Sequence, residues 1–169
     1  APFLKQVLPE RVHIGAFGDV GHKKIDARQG HDKNAERLRG LCARTDQPSA
    51  ALVRDLKARG LLDSTVVLWT GEFGRLPISQ GKDGRDHNRH AFSLWAAGGG
   101  FKSGYVHGAT DDFGYKAVQD VVSVHDFHAT LLQLLGVDHQ HLHFPSEGRM
   151  ASLTDWEVTG ARPVPALLA

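Results

Sequence analysis

Two short apolar runs, separated by a polar, glycine-rich segment, dominate the middle of the chain. The first covers residues 65–70 and is followed by a carboxylate at Glu72. The second covers residues 91–97 and is preceded by Asp86 and His87. Short, uninterrupted apolar runs are typical of strands that are buried on both faces, as in a parallel sheet. We therefore predict two such strands, with a carboxylate and an imidazole delivered beside them.

Helical periodicity precedes the first run. Thr45 or Asp46, followed by Pro48, predicts the start of a helix, because these residue types favour the N-cap and the first turn. Apolar residues then recur at helical spacing, and Gly60 is the predicted C-cap residue. Residues 1–40 have no clear period and are expected to be irregular.

A second amphipathic helix follows the second run. It is predicted to open at His125-Asp126 and to stop at Gly136, after a short strand-like run over residues 121–124. Residues 138–169 are predicted to be loop-like. A helix followed by a buried strand is half of a βαβ unit, so the predicted class is α/β with a largely parallel sheet flanked by helices.

Composition narrows the functional classes. The 169 residues are enough for one domain with a core, and 41% are hydrophobic and 23% charged, as in ordinary globular proteins. The net charge of +1 does not point to nucleic acid. No apolar run approaches the roughly 18 residues of a membrane span. The single Cys42 excludes an internal disulfide.

Ligand chemistry is concentrated where the first strand ends. Sites in open α/β sheets lie outside the carboxyl ends of strands, and divalent metals take imidazole and carboxylate ligands. Glu72, Asp86 and His87 are therefore candidate metal ligands. The alternative is that Glu72 forms an ion pair with Arg75 or Arg85 and only fixes the loop.

The remaining histidines give weaker signals. His31 is a second candidate ligand, against the alternative of a solvated loop residue. Asp126 at a helix start is explained by capping alone. His139, His141 and His143 alternate in the tail and are interpreted as surface residues.

No nucleophile can be assigned. The chain has no GxxxxGK[ST] loop and no GxSxG turn, and Cys42 has no base partner in sequence. A nucleophile, if there is one, is expected outside this chain.

Four ordered blocks carry a family resemblance: TDQPSAALVRDLKARGLLDSTVVLWTGEFGR, GRDHNRHAFSLWAAGGGFKSG, GATDDFGYKAV and VHDFHATLLQLLGVDH. Over residues 31–155 the chain resembles the C-terminal half of the sulfatase-like domain-of-unknown-function family 1501, of the alkaline-phosphatase-like superfamily. Residues 1–30 then form a poorly readable N-terminal segment, and residues 156–169 form a tail. The resemblance implies a largely parallel sheet, divalent metals and hydrolysis of phosphate or sulfate esters, with a parent family that is exported.

The superfamily pattern transfers onto single positions. Its acidic ligand after a core strand corresponds to Glu72, and Phe73 stands where many relatives have histidine. His87 corresponds to the later metal-binding histidine, and His31 matches an upstream block. Gln29 stands where a ligand aspartate is expected, and a neutral amide brings no charge to a divalent ion.

Residues and resemblance together predict a fragment of a sulfatase-like, metal-dependent hydrolase that is inactive as an isolated chain. Its cofactor is a divalent metal, either Zn, Ca, Mn or Mg, and its partner is a small anionic ester. The expected metal ligands are Glu72, His87, His31 and Asp86. The expected anion-binding residues are Arg75 and Arg85.

The alternative interpretation is a non-catalytic, degenerate family member that serves as a binding or assembly module. Gln29 and the missing nucleophile favour it. A half domain also exposes sheet edges and apolar surface, so self-association or poor solubility is expected.

Overall fold

The computed structural model describes residues 34–71, 73–79 and 81–169. Three α-helices and eight short strands occur in these residues. The helices are α1 (Asn34–Ala58), α2 (Val124–Leu134) and α3 (Trp156–Thr159). The strands are β1 (Val67–Trp69), β2 (Gly74–Arg75), β3 (His87–Asn88), β4 (Trp95–Ala97), β5 (Ala109–Thr110), β6 (Ala117–Gln119), β7 (His143–Ser146) and β8 (Arg149–Ser152).

Helix α1 begins eleven positions before the predicted start, so residues 34–40 are helical rather than irregular. Pro48 lies inside the helix, where it removes one backbone hydrogen bond. Two hydroxyls add bonds beside it: Thr45 Oγ1 donates to the Leu41 carbonyl over 3.1 Å, and Ser49 Oγ donates to the Thr45 carbonyl over 2.7 Å. Thr45, one of the two predicted N-cap residues, therefore lies inside the helix and adds a side-chain hydrogen bond to it.

The predicted end of α1 is confirmed. Gly60 has a φ of +68°, a conformation that glycine adopts without steric cost. Its N–H donates to the Lys57 carbonyl, and the N–H of Leu61 donates to the Leu56 carbonyl. These are the two hydrogen bonds of a Schellman motif.

The predicted parallel sheet is wrong. Within the described residues, the strands form four separate two-stranded sheets, and every pair is antiparallel. The two apolar runs do supply strands, β1 and β4, but they pair antiparallel with Trp69 opposite Trp95. Parallel pairing needs a crossover, usually a helix, whereas the β2–β3 hairpin lies between these strands. Both strands are also only partly buried.

Helix α2 opens through a capping box. Ser123 accepts a hydrogen bond from the N–H of Asp126, and the Asp126 carboxylate accepts one from the N–H of Ser123. The run over residues 121–124 leads into this cap and is not a strand. At the other end, the N–H of Gly136 donates to the Gln133 carbonyl, so the predicted end of the helix at Gly136 is confirmed.

The tail contains regular structure, so its prediction as loop is wrong. Strands β7 and β8 pair over four residues each, and α3 follows them. The most buried apolar residues lie here and in α2: Ala129, Leu132, Leu142 and Ala161. Hydrogen bonds from the N–H groups of Arg162 and Val164 join the C-terminal segment to α2.

The end of the chain is tied to the turn after β4. Phe101 forms an isolated bridge with Leu168, and the N–H of Ala169 donates to the Gly100 carbonyl over 3.0 Å. Among the helices of the described residues, none is both long and apolar enough to cross a membrane.

Candidate functional site

The candidate site is the β2–β3 hairpin, whose two faces differ in character. Its register places Gly74 opposite Asn88 and Arg75 opposite His87. Directly paired residues point to the same face of an antiparallel ladder. Asn88 is 1% exposed, whereas Arg75 and His87 are exposed. One face therefore anchors the hairpin, and the other presents a guanidinium and an imidazole to solvent.

An aromatic ring connects the two exposed side chains. The Phe73 and His87 ring centroids lie 4.0 Å apart, with the planes tilted by 39°. The Arg75 guanidinium carbon lies 5.9 Å from the centroid of the same Phe73 ring, within the range of a cation–π contact. Phe73 thus holds a cation and an imidazole at one place.

Backbone carbonyls hold the two arginines. Arg75 Nη1 donates to the Arg85 carbonyl over 3.2 Å, and Arg85 Nη1 donates to the Gly84 carbonyl over 2.7 Å. A guanidinium has five N–H donors, so a single such bond leaves most of its hydrogen-bonding capacity for other acceptors. The N–H of Leu76 donates to the Asp86 carbonyl over 2.8 Å, which extends the ladder by one step.

Asn88 fixes the hairpin to the loop between β5 and β6. Its Nδ2 donates to the Tyr115 carbonyl over 2.8 Å, and its Oδ1 accepts from the N–H of His90 over 2.9 Å. The His90 and Tyr115 rings stack with centroids 5.8 Å apart. Opposite Asn88, a side chain on Gly74 would collide with the Ala91 carbonyl. The buried face therefore requires an amide on one strand and a glycine on the other.

The structure brings together three of the six predicted site residues. Arg75, Arg85 and His87 belong to one hairpin, linked by the contacts above. Asp86 directly precedes His87, and its carbonyl accepts from the N–H of Leu76; strand alternation predicts that its side chain lies on the opposite face from His87. Glu72 and His31 lie outside the described residues, as does Gln29.

A divalent metal site needs several ligand side chains near one point. In these residues no three His, Cys, Asp or Glu side chains gather at a point that suits an ion. Catalytic zinc sites use three protein ligands, and the hairpin supplies one imidazole on its open face. The described residues show no cluster of three such ligands, and Glu72, His87, His31 and Asp86 all remain predicted ligands.

The other histidines and acids differ in burial and in their hydrogen-bond partners. Asp126 caps α2, as expected, and Thr130 Oγ1 donates to the Asp126 carbonyl over 2.8 Å. His139 is not a surface residue: it is 6% exposed, and its Nδ1 lies 3.1 Å from Thr154 Oγ1. His141 and His143 are exposed, as predicted.

Sequence reasoning missed Phe73 and Asn88 as parts of the site. Phe73 was treated only as the replacement for a histidine, although an aromatic residue two positions before an arginine on a strand suits a shared face. Asn88 carried no signal of its own, because its two partners come from Tyr115 and His90.

The comparisons with known proteins give one finding. The sequence matches a family described as protein of unknown function (DUF1501) over residues 17–168. Comparison with curated proteins and with solved structures returned no match. Because the match covers most of its length, the chain belongs to the DUF1501 family.

Proposed function

We propose that the open face of the β2–β3 hairpin binds the anionic group of a phosphate or sulfate ester, and that the chain belongs to a sulfatase-like, metal-dependent hydrolase. The observation that carries the proposal is the register that pairs Arg75 with His87, with Phe73 against both. Guanidinium matches tetrahedral oxyanions in geometry and charge. His87, which pairs with Arg75 on the same face, would hold the metal ion next to this anion.

Local charge supports an anionic ligand. The hairpin and its loop, residues 74–90, carry four basic residues and two acidic ones. The basic residues are Arg75, Lys82, Arg85 and Arg89, and the acidic ones are Asp83 and Asp86. A positive segment on a chain with a net charge of only +1 concentrates the attraction at this hairpin.

The metal ion is part of the proposal as the group that would polarise the ester oxygen. His87 and Glu72 are the ligands to test first. The described residues contribute the anion-binding face, and no nucleophile is assigned among them. Superfamily membership with the sulfatases belongs to the same proposal and rests on the resemblance of the four sequence blocks.

Anion binding is tested by titrating the chain with inorganic phosphate and sulfate and following NMR shifts of the Arg75 and His87 side chains. Arg75→Ala should weaken binding by about fivefold, the effect of roughly 1 kcal/mol at an exposed site. Arg149→Ala and His143→Ala are matched controls, because both residues are exposed strand residues of the β7–β8 hairpin. Equal losses in the controls would remove the hairpin from the proposal.

Turnover is tested separately with chromogenic phosphate and sulfate esters, after loading with Zn²⁺, Ca²⁺, Mn²⁺ or Mg²⁺ and metal analysis. Loss of bound metal in Glu72→Ala and His87→Ala supports the assigned ligands. No bound metal and no turnover, unchanged in both variants, would exclude hydrolysis by this chain. Anion binding that persists without turnover favours the alternative, a non-catalytic binding or assembly module.

A further inference from the structure

The loop between β4 and β5 brings a phenol, an imidazole and an ammonium group together. The Tyr105 hydroxyl lies 3.1 Å from Nδ1 of His107. The Lys102 ammonium lies over the Tyr105 ring, 4.7 Å from its centroid, which is a cation–π contact. His107 is half-buried, whereas Tyr105 is exposed, so a molecule in solution can reach the phenol.

The backbone of this loop is held at both ends. At its start, the N–H of Lys102 donates to the Leu167 carbonyl over 2.9 Å. At its end, Gly108 has a φ of +74° and lies so close to β6 that an added Cβ would be 3.0 Å from the Gln119 carbonyl oxygen. These contacts limit the positions that the three side chains can take relative to one another.

A phenol beside a base is the arrangement of an activated nucleophile. Tyrosine is one of the residues that form covalent intermediates, and a base within about 2.6–3.2 Å of the nucleophile is the structural signature. In the tautomer with its proton on Nε2, His107 accepts at Nδ1 from the Tyr105 hydroxyl and can take the phenol proton. The Lys102 ammonium then stabilises the negative charge that develops beside it.

We propose that Tyr105 is a nucleophile that accepts an acyl group from an activated carboxylic ester. The phenol oxygen bonds to the carbonyl carbon, and the phenol proton passes to Nδ1 of His107. The bond from the carbonyl carbon to the leaving oxygen then breaks, and the leaving group departs as an anion with the electron pair. Tyr105 is left as an ester, and His107 returns the proton to solvent. The inference does not depend on the proposed hydrolase chemistry, for which it supplies no nucleophile.

A single ammonium group favours acyl transfer over phosphoryl transfer. Acyl transfer develops negative charge on one oxygen, whereas phosphoryl transfer spreads it over three oxygens, which metal ions and further cations stabilise. Residues 101–110 contain Lys102 and His107, with no arginine, aspartate or glutamate. The charge available beside the phenol therefore matches one developing oxyanion, and an activated carboxylic ester is the expected donor.

The chain supplies an internal control for the test. It has two tyrosines, and their exposed fractions are nearly equal, 42% for Tyr105 and 41% for Tyr115. The Tyr115 ring stacks on His90, with centroids 5.8 Å apart. The full chain is treated with para-nitrophenyl acetate, nitrophenolate release is followed by absorbance, and the acetylated residue is located by peptide mass mapping. Tyr105 should be acetylated much faster than Tyr115. Equal rates at the two, or no acetylation of Tyr105, overturns the proposal.

Three variants assign the roles. Tyr105→Phe should abolish the stoichiometric release of nitrophenolate. His107→Gln keeps a hydrogen-bonding side chain without the base and should slow acetylation of Tyr105 by about 100-fold, the lower end for a positioned base. Lys102→Met should slow it by about twofold to fivefold, as for an exposed cation–π contact. His141→Gln is the matched control, because His141 is an exposed histidine hydrogen-bonded to Asp138, and it should leave the rate unchanged.

Other outcomes contradict the proposal. One is nitrophenolate release that is unchanged in Tyr105→Phe, with the acetyl group on Lys102 or His107. Another is an equal loss of rate in His107→Gln and His141→Gln. NMR of the imidazole nitrogens tests the proton path directly: His107 should carry no proton on Nδ1 in the untreated protein, and a proton there would exclude it as the base.

Discussion

The carboxylate of Asp126 accepts a hydrogen bond over 3.0 Å from the backbone N–H of Arg162, 36 positions later in the chain. The same carboxylate caps α2 through Ser123. One side chain therefore stabilises a helix start and holds the C-terminal segment against that helix. Two predictions follow from this link and from its neighbour Thr130.

Stability should fall in acid through Asp126. Burial raises the pKa of this carboxyl, but hydrogen bonds from Arg162 and Ser123 outweigh it and hold the pKa below the ordinary value. Stabilisation by Asp126 is therefore full above the ordinary pKa and is lost as pH falls through the lowered one. Urea unfolding of the wild type between neutral pH and acid should show this loss. Asp126→Asn should flatten the acid slope, whereas Asp112→Asn, at an exposed loop position, should leave it unchanged.

Thr130 should be sensitive to loss of its hydroxyl. Its Oγ1 accepts from the N–H of Val164 over 2.9 Å and donates to the Asp126 carbonyl, and the residue is fully buried. Thr130→Val keeps the shape and leaves the Val164 N–H without its acceptor, so a loss of about 1–3 kcal/mol is expected. Thr130→Ser retains the hydroxyl and should lose less. Equal free energies of unfolding for the two variants would contradict this account.

The turn between β7 and β8 can be improved. Ser146 pairs with Arg149, so Glu147 and Gly148 form a two-residue turn, with φ of +49° and +78°. A type I′ turn requires positive φ at both positions and favours Asn-Gly. Glu147→Asn should raise the free energy of unfolding by up to about 1 kcal/mol, since glutamate is strained in this conformation. Gly148→Ala should have the opposite sign, and thermal unfolding of both variants checks the pair.

The buried amide of Asn88 should keep the β2–β3 hairpin ordered, although it lies on the face opposite Arg75 and His87. Asn88→Ala removes the partners of the Tyr115 carbonyl and the His90 N–H, with an expected cost of about 2–3 kcal/mol. Hydrogen exchange should rise in β3 and in the loop at Tyr115 together, because the amide joins them. A rise confined to one of the two segments would show that the link does not hold the hairpin.

The ends of helices were predictable from the sequence, because glycine alone adopts the required backbone conformation without steric cost. Gly60 and Gly136 end their helices as expected, because the closing bonds involve only neighbouring residues. Strands were expected over residues 65–70 and 91–97, and shorter ones occur within them, at Val67–Trp69 and Trp95–Ala97. Their direction was not predicted correctly, since periodicity records burial and not the partner's orientation. Antiparallel pairing depends on the chain returning through the β2–β3 hairpin.

Three of the predicted site residues lie close together in the structure, and their roles stay predictions. His87 was singled out by residue type and position, and Arg75 and Arg85 were named as anion-binding residues under the hydrolase interpretation; all three share one hairpin. Asn88 could not be identified, because its importance comes from partners brought close by the fold. For the same reason His139 resembled a surface histidine: nothing in an alternating tail reveals that Thr154 lies against it.

The attachment of the chain end has a mechanical consequence. A force applied at Ala169 first loads its own bond to Gly100 and the Phe101–Leu168 bridge. Only after these rupture does it load the bonds of Val164 to Thr130 and of Arg162 to Asp126. We expect the C-terminal segment to peel away in steps, so that α2 withstands tension until the last of these bonds has broken.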